Sequence, residues 1–217
     1  MSDLFDSLPV DEGAGDVTLA PGAMILRGFA RPYEAALLAA LRDIVGRAPF
    51  RHLITPGGHR MSVAMTNCGA VGWVSDRTGY RYSPIDPDSG RPWLPMPDVL
   101  VRLARDAALR GGFDAFRPDA CLVNRYEPGA KLSLHQDKDE LDLDAPIVSV
   151  SLGLPAVFQF GGMARSDRPA RHRLVHGDVV VWGGPSRLAY HGVMPLADGE
   201  HPLFGRQRIN LTFRKTR

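Results

Sequence analysis

Two places in the chain set a histidine two residues ahead of an aspartate: His135-Gln136-Asp137 and His176-Gly177-Asp178. In an extended segment, residues i and i+2 project to the same side, so each pair could aim an imidazole and a carboxylate at one point. With 24 acidic residues among 217 and seven histidines, roughly one such pair arises by chance, so the spacing alone proves little. The second pair has a glycine at its centre and runs straight into the apolar Val179–Trp182, which reads as a tight turn. The first pair follows a turn and a short apolar stretch and opens a charged run through Lys138, Asp139, Glu140, Asp142 and Asp144. One more histidine, arriving from a distant strand, would complete a set of two imidazoles and one carboxylate. That set leaves three positions open on Fe(II). His191 is the best candidate because Gly192 beside it permits a close approach, and His201 is the reserve.

A second chemical feature lies near the C-terminus. Arg208-Ile209-Asn210-Leu211-Thr212-Phe213-Arg214 alternates with period two. Arg208, Asn210, Thr212 and Arg214 share one face, and Ile209, Leu211 and Phe213 the other. Two arginines on an inward face need an anion, because an unpaired buried charge is very unfavourable. A guanidinium binds carboxylate in a bidentate manner. A dicarboxylate that chelates iron at one end and meets arginine at the other satisfies both features, and 2-oxoglutarate has that shape.

The elements that must position these groups are mostly strands. Pro32–Val45 and Asp98–Arg110 read as amphipathic helices, the second with Asp98 as N-cap and Gly111-Gly112 as its stop. After Asp119 come short strand-like runs: Ala120–Tyr126, Ile147–Leu152, Ala156–Phe160, Val179–Trp182 and Arg208–Arg214. Two helices followed by many short strands predict helices packed on a sandwich or jelly roll. Between the helices, Trp73 and Tyr80 stand among Gly72, Gly79, Arg77 and Arg81, a polar, glycine-rich stretch that reads as a lid.

Bulk properties set wider bounds. A 217-residue chain, 44% hydrophobic and 23% charged, suits one globular domain with a sizeable core. A net charge of +2 excludes a globally basic binder. Two basic clusters remain, Arg165, Arg168, Arg171, Arg173 and the tail from Arg206 to Arg217, and either could meet phosphate or simply be solvated. Two cysteines, Cys68 and Cys121, with no C-x-x-C pair, suggest thiols in a reducing compartment. No secretory leader or membrane-length apolar run is present, so a cytoplasmic protein is expected. Residues 1–20, acidic and small, are expected to form a loose arm.

The combined motifs carry a resemblance. Asn124-Arg125-Tyr126, His135-x-Asp137, His191 and R-x-N-x-T-F-R at Arg208–Arg214 resemble the AlkB family of nucleic-acid dealkylating dioxygenases. Thr55–Gly58 (TPGG), Met61–Gly69 (MSVAMTNCG), Tyr82–Pro87 (YSPIDP) and Pro128–Glu140 (PGAKLSLHQDKDE) are similar to its bacterial branch. The likeness runs from about Pro21 to Lys215, with departures around Arg165–Arg173. It implies an α+β, mainly β fold, a double-stranded β-helix with N-terminal helices and a nucleotide-recognition lid. Residues 21–217 would be one domain, with the lid at about 50–95 and the jelly-roll core at about 119–215.

The resemblance also implies Fe(II), 2-oxoglutarate and O2, with His135, Asp137 and His191 as iron ligands. Arg208, helped by Tyr126 and Asn210, would hold the far carboxylate of 2-oxoglutarate, with Arg214 and Asn124 near the iron-bound end. Arg125, Ile209, Leu211, Thr212 and Phe213 belong to the same two motifs. Trp73 would stack on the base opposite His135; Tyr80, Arg81 and Tyr82 would lie near the base or its phosphates. Asp139 would meet its amino edge and Arg165 would line the pocket. The expected partner is alkylated DNA, with the single strand favoured, or RNA, acted on by a monomer.

Overall fold

The computed structural model describes residues 15–217. Fourteen strands form among them: β1 Val17–Ala20, β2 Ala23–Leu26, β3 Arg51–Ile54, β4 Arg60–Gly69, β5 Gly72–Asp76, β6 Gly79–Ser83, β7 Ala120–Tyr126, β8 Leu132–His135, β9 Ile147–Gly153, β10 Ala156–Phe160, β11 Ala170–Leu174, β12 Val179–Trp182, β13 His191–Val193 and β14 Arg208–Arg214. Helices α1 (Glu34–Arg47) and α2 (Asp98–Arg110) interrupt them. All the pairings are antiparallel. A large sheet runs β1-β2-β12-β9-β14-β7-β4-β3, a small one β11-β10-β13-β8, and β5-β6 is a separate hairpin.

The period-two patterning explains the layers. On β7, β9, β12 and β14, Cys121, Val123, Val148, Val150, Leu152, Val179, Val181, Ile209, Leu211 and Phe213 all turn to one side. There they pack with Leu37, Leu41, Ile44, Leu100, Leu103 and Ala107 of the helices. The opposite parity, including Leu122, Tyr126, Ile147, Val180 and Trp182, faces Phe158, Phe160 and Val193 of the small sheet. The large sheet is therefore covered on both faces, by helices on one and by the small sheet on the other. The site lies between the sheets.

Some local expectations are corrected. Residues 17–20 are not a loose arm but strand β1, paired with β2; residues 1–14 lie outside the described residues. The first helix starts after a short 3-10 turn at Arg31–Tyr33 and so begins at Glu34. Pro97, not Asp98, takes the N-cap position of α2, and no side chain caps it; Asp98 contributes only its charge in the first turn. The apolar face of β14 is buried under the helices.

Candidate active site

The iron-ligating set is assembled by strand register. His135 ends β8 and His191 begins β13, and the two are directly paired across the small sheet. Cross-strand partners have side chains on the same face about 5 Å apart at Cβ, and the two rings lie 4.4 Å apart between centroids. Asp137, two residues on from His135, comes to the same side. Its carboxylate oxygens stand 3.6 Å from His135 Nε2 and 3.9 Å from His191 Nε2. One ligand atom from each of the three residues lies within 4.8 Å of the others, the one such cluster among the described residues. Gly192 serves this geometry in an unexpected way. A Cβ there would sit 2.8 Å from the Leu132 carbonyl oxygen, so the close approach is that of β8's backbone, not of a ligand.

Each imidazole is also oriented. Nδ1 of His135 is 2.9 Å from the Ser133 carbonyl and Nδ1 of His191 is 3.0 Å from the Ala189 carbonyl. A carbonyl oxygen can only accept, so both Nδ1 atoms carry the proton and both Nε2 atoms offer a lone pair to a metal. Burial, with His135 alongside, pushes His191 down to about 4, which keeps it neutral and ready to ligate at neutral pH. Burial works against ionisation of Asp137, but the Arg214 guanidinium and the two imidazoles outweigh it and hold the carboxyl well below the usual range. Two imidazoles and one carboxylate are the donor set suited to non-haem Fe(II).

The two arginines of β14 differ. Arg214 is satisfied within the protein: its Nε and Nη2 donate to Asp137 Oδ2 at 3.0 and 2.8 Å, and its Nε lies 3.4 Å from Glu140. Arg208 is 1% exposed, donates from Nη2 to Ser151 Oγ at 2.8 Å, and rests 5.0 Å above the Tyr126 ring. Its Nε and Nη1 are buried and have no partner in the protein. Buried guanidinium donors without a partner call for an anion such as a carboxylate. Asn210 donates to Ser149 Oγ at 2.8 Å and accepts from Asn124 Nδ2 at 3.2 Å and Thr212 Oγ at 3.0 Å.

These residues line one cavity of about 640 Å3, shared by His135, Asp137, His191, Asn124, Tyr126, Arg208, Asn210, Thr212, Arg214, Trp73, Tyr80, Asp139 and Arg165. At its mouth the indole of Trp73 donates to Asp139 at 2.9 Å, and its ring stacks on Tyr80 at 5.3 Å and 16°. Six sequence candidates, and the reserve ligand His201, do not come to the cavity. Ile209, Leu211 and Phe213 have the wrong parity and pack under the helices. Arg125 covers Phe50 and reaches Glu127 at 3.3 Å. Arg81 is tied to Asp76 within the exposed β5–β6 hairpin at 2.7 Å. Tyr82 does not line the cavity itself but donates to Glu140, which does. His201 stacks on His176 at 4.6 Å, outside the triad.

The second H-x-D is structural, as its glycine suggests. Gly177 has φ +89°, His176 Nδ1 accepts from Gly153 N at 3.1 Å, and Asp178 accepts from Gly28 N, Val175 N and Arg27. Sequence reasoning missed Arg187 and the role of Glu140. Arg187, 3% exposed, donates to the Asp137 carbonyl at 2.6 Å, to the Ala145 carbonyl at 2.9 Å and to Glu140 at 3.0 Å, and so fixes the loop that carries Asp137. A single arginine in a loop gives no periodic signal, so nothing in the sequence pointed to it.

Comparison with known proteins agrees with this geometry. Residues 22–214 match the 2OG-Fe(II) oxygenase superfamily. The chain is 58% identical to alpha-ketoglutarate-dependent dioxygenase AlkB of Escherichia coli (strain K12), over 99% of this chain and 98% of that protein. It is 57% identical to the protein of the same name in Salmonella typhimurium, again over 99% and 98%. The solved structure of OsALKBH1 superposes with TM-score 0.79 at 29% identity, covering 92% of this chain and 99% of that one. The chain belongs to the 2OG-Fe(II) oxygenase superfamily and, within it, to the bacterial branch of the AlkB family. It is an Fe(II)- and 2-oxoglutarate-dependent dioxygenase, with His135, Asp137 and His191 as its iron triad.

Proposed function

We propose that this dioxygenase removes alkyl groups from damaged bases in nucleic acid, with 1-methyladenine and 3-methylcytosine in single-stranded DNA as favoured substrates and RNA as a further one. The observation that carries the reading is the common cavity. The metal triad, the half-satisfied Arg208 and the aromatic–carboxylate pair of Trp73 and Asp139 all open into it.

Bound iron, with 2-oxoglutarate and O2, supplies the oxidation: the co-substrate leaves as succinate and carbon dioxide, and the hydroxylated alkyl group departs as formaldehyde from the restored base. The protein's own side chains do the rest. Arg208 receives the far carboxylate, with Tyr126 and Asn210 walling that end. Arg214 keeps Asp137 ionised and turned toward the metal, and Asn124, with a buried unpartnered Oδ1, borders the iron-bound end. Trp73 stacks on the extruded base opposite His135, Tyr80 extends that stack, Asp139 accepts from the base's amino edge and Arg165 lines the entrance. Arg81 can reach a phosphate only by exchanging its Asp76 partner, and Tyr82 acts through Glu140. A methyl on the pairing edge has already broken the base pair, so extrusion is easiest for the lesions themselves. In this reading the enzyme is a cytoplasmic monomer.

The test is coupling. Succinate formation should rise several-fold when a methylated oligonucleotide is added, and not with the unmethylated strand. Equal stimulation by both would remove the dependence on the lesion, and stimulation by neither would move the substrate outside nucleic acid.

A further inference from the structure

Trp73 is held from behind as well as across the cavity mouth. Its main-chain N–H donates to Asn67 Oδ1 at 3.0 Å, and Asn67 Nδ2 donates to its main-chain carbonyl at 3.0 Å. The Asn67 amide thus pairs with Trp73 as a neighbouring strand's peptide would. Asn67 lies on β4, in register with Leu122 of β7, in the body of the large sheet, and is 3% exposed. The preceding Gly72 is pressed from two sides: a Cβ there would come within 2.5 Å of the Trp93 ring and 2.8 Å of Asn67 Cβ. By contrast, the partners of the indole itself sit on less fixed parts of the chain, Tyr80 on the exposed hairpin and Asp139 on the loop after β8.

We infer that Asn67 is a positioning residue for nucleic-acid binding: its side-chain amide anchors the Trp73 backbone to the large sheet and so sets the plane on which the target base stacks. This rests on the proposed stacking role of Trp73. A buried amide with both ends used has no slack. Removing it leaves the Trp73 N–H and C=O without partners and frees the start of the hairpin to shift. Asn67 touches neither the iron triad nor Arg208, so the co-substrate half of the reaction is untouched.

The experiment is a double-mutant cycle of Asn67→Ala and Trp73→Ala, read as KM for a methylated oligonucleotide, KM for 2-oxoglutarate and kcat. Asn67→Leu repeats it with the side-chain volume kept, separating the hydrogen bonds from the cavity. The expected rise in oligonucleotide KM is about tenfold in either single variant, the weight of roughly one base–aromatic stack. KM for 2-oxoglutarate should stay within about twofold, since nothing in that half of the site changes. The double variant should be no worse than Trp73→Ala alone. Additive effects, or an unchanged oligonucleotide KM in both Asn67 variants while Trp73→Ala raises it, would overturn the inference. An unchanged KM in Trp73→Ala would instead remove the stacking role on which it rests. The unmodified protein gives a reading that needs no variant: the Trp73 amide should be strongly protected from hydrogen exchange, and rapid exchange would also overturn the inference.

Discussion

Replacing Arg208 tests the co-substrate site in two opposite ways. The guanidinium is fully buried, uses Nη2 on Ser151, and leaves Nε and Nη1 without partners in the protein. If a carboxylate of 2-oxoglutarate accepts two charge-assisted hydrogen bonds from this guanidinium, Arg208→Met forfeits both. At about 1.5–2 kcal/mol each, the sum is about 3–4 kcal/mol. At 1.4 kcal/mol per decade, that is a loss of roughly 10²–10³-fold in affinity for 2-oxoglutarate. Folding should respond in the other direction. Burial pulls the Arg208 guanidinium below its ordinary value, only partly offset by Tyr126, a sign that the charge is disfavoured there. Methionine of similar length removes that unfavourable desolvation. Metal-free Arg208→Met should therefore melt no lower than the parent, and added 2-oxoglutarate should raise the melting temperature of the parent only. Calorimetric titration and thermal scans read both quantities. An unchanged affinity for 2-oxoglutarate would refute the reasoning. A large drop in stability without ligand would show that Arg208 is a structural pair with Tyr126 and Ser151.

Other outcomes follow from the same geometry. His135→Ala should abolish both succinate formation and repair, with weakened Fe(II) binding measured directly; turnover in the purified variant would remove His135 from the triad. Arg214→Ala should destabilise the fold by about 3–5 kcal/mol in chemical denaturation, because Asp137 and Glu140 are left buried without it. A change under 1 kcal/mol would mean that the pair adds little. Asp178→Asn should lower stability by about 2–4 kcal/mol, since Asp178 is 1% exposed and takes both an arginine and two main-chain donors. It should leave KM for both substrates alone, and a specific rise in either would give the second H-x-D a functional role. A strong chelator should erase activity and added Fe(II) restore it, whereas Zn2+ should occupy the same donors without restoring turnover.

The chemistry was more legible in the sequence than the scaffold. His135, Asp137 and His191 stood out by type and spacing, and the two arginines of β14 by their shared parity. The strands with uninterrupted apolar patterns, β7, β9, β10, β12 and β14, were found within a residue of their ends. The strands that escaped notice are of three kinds. β1, β2, β3, β8 and β13 span only three or four residues, too short for a period to show, and β5, β6 and β11 are five-residue runs rich in polar residues or glycine. β4 is ten residues long, but Val63-Ala64-Met65 and the small, buried Thr66–Gly69 do not alternate, because both faces are covered. Parity also explains which motif residues miss the cavity: along β14 every second residue must turn to the helices. What could not be read was pairing between distant charges. The two β14 arginines look alike in sequence, and only the fold gives one of them Asp137 and leaves the other with two free donors.

The central claim is tested most directly by mass spectrometry of a single-stranded oligonucleotide carrying one 1-methyladenine, incubated with the protein, Fe(II), 2-oxoglutarate and ascorbate in air. The account predicts loss of the methyl group, strictly dependent on 2-oxoglutarate and matched by succinate. An intact methyl group in the presence of folded, iron-loaded protein that still forms succinate would contradict it, and would assign the cavity to another substrate.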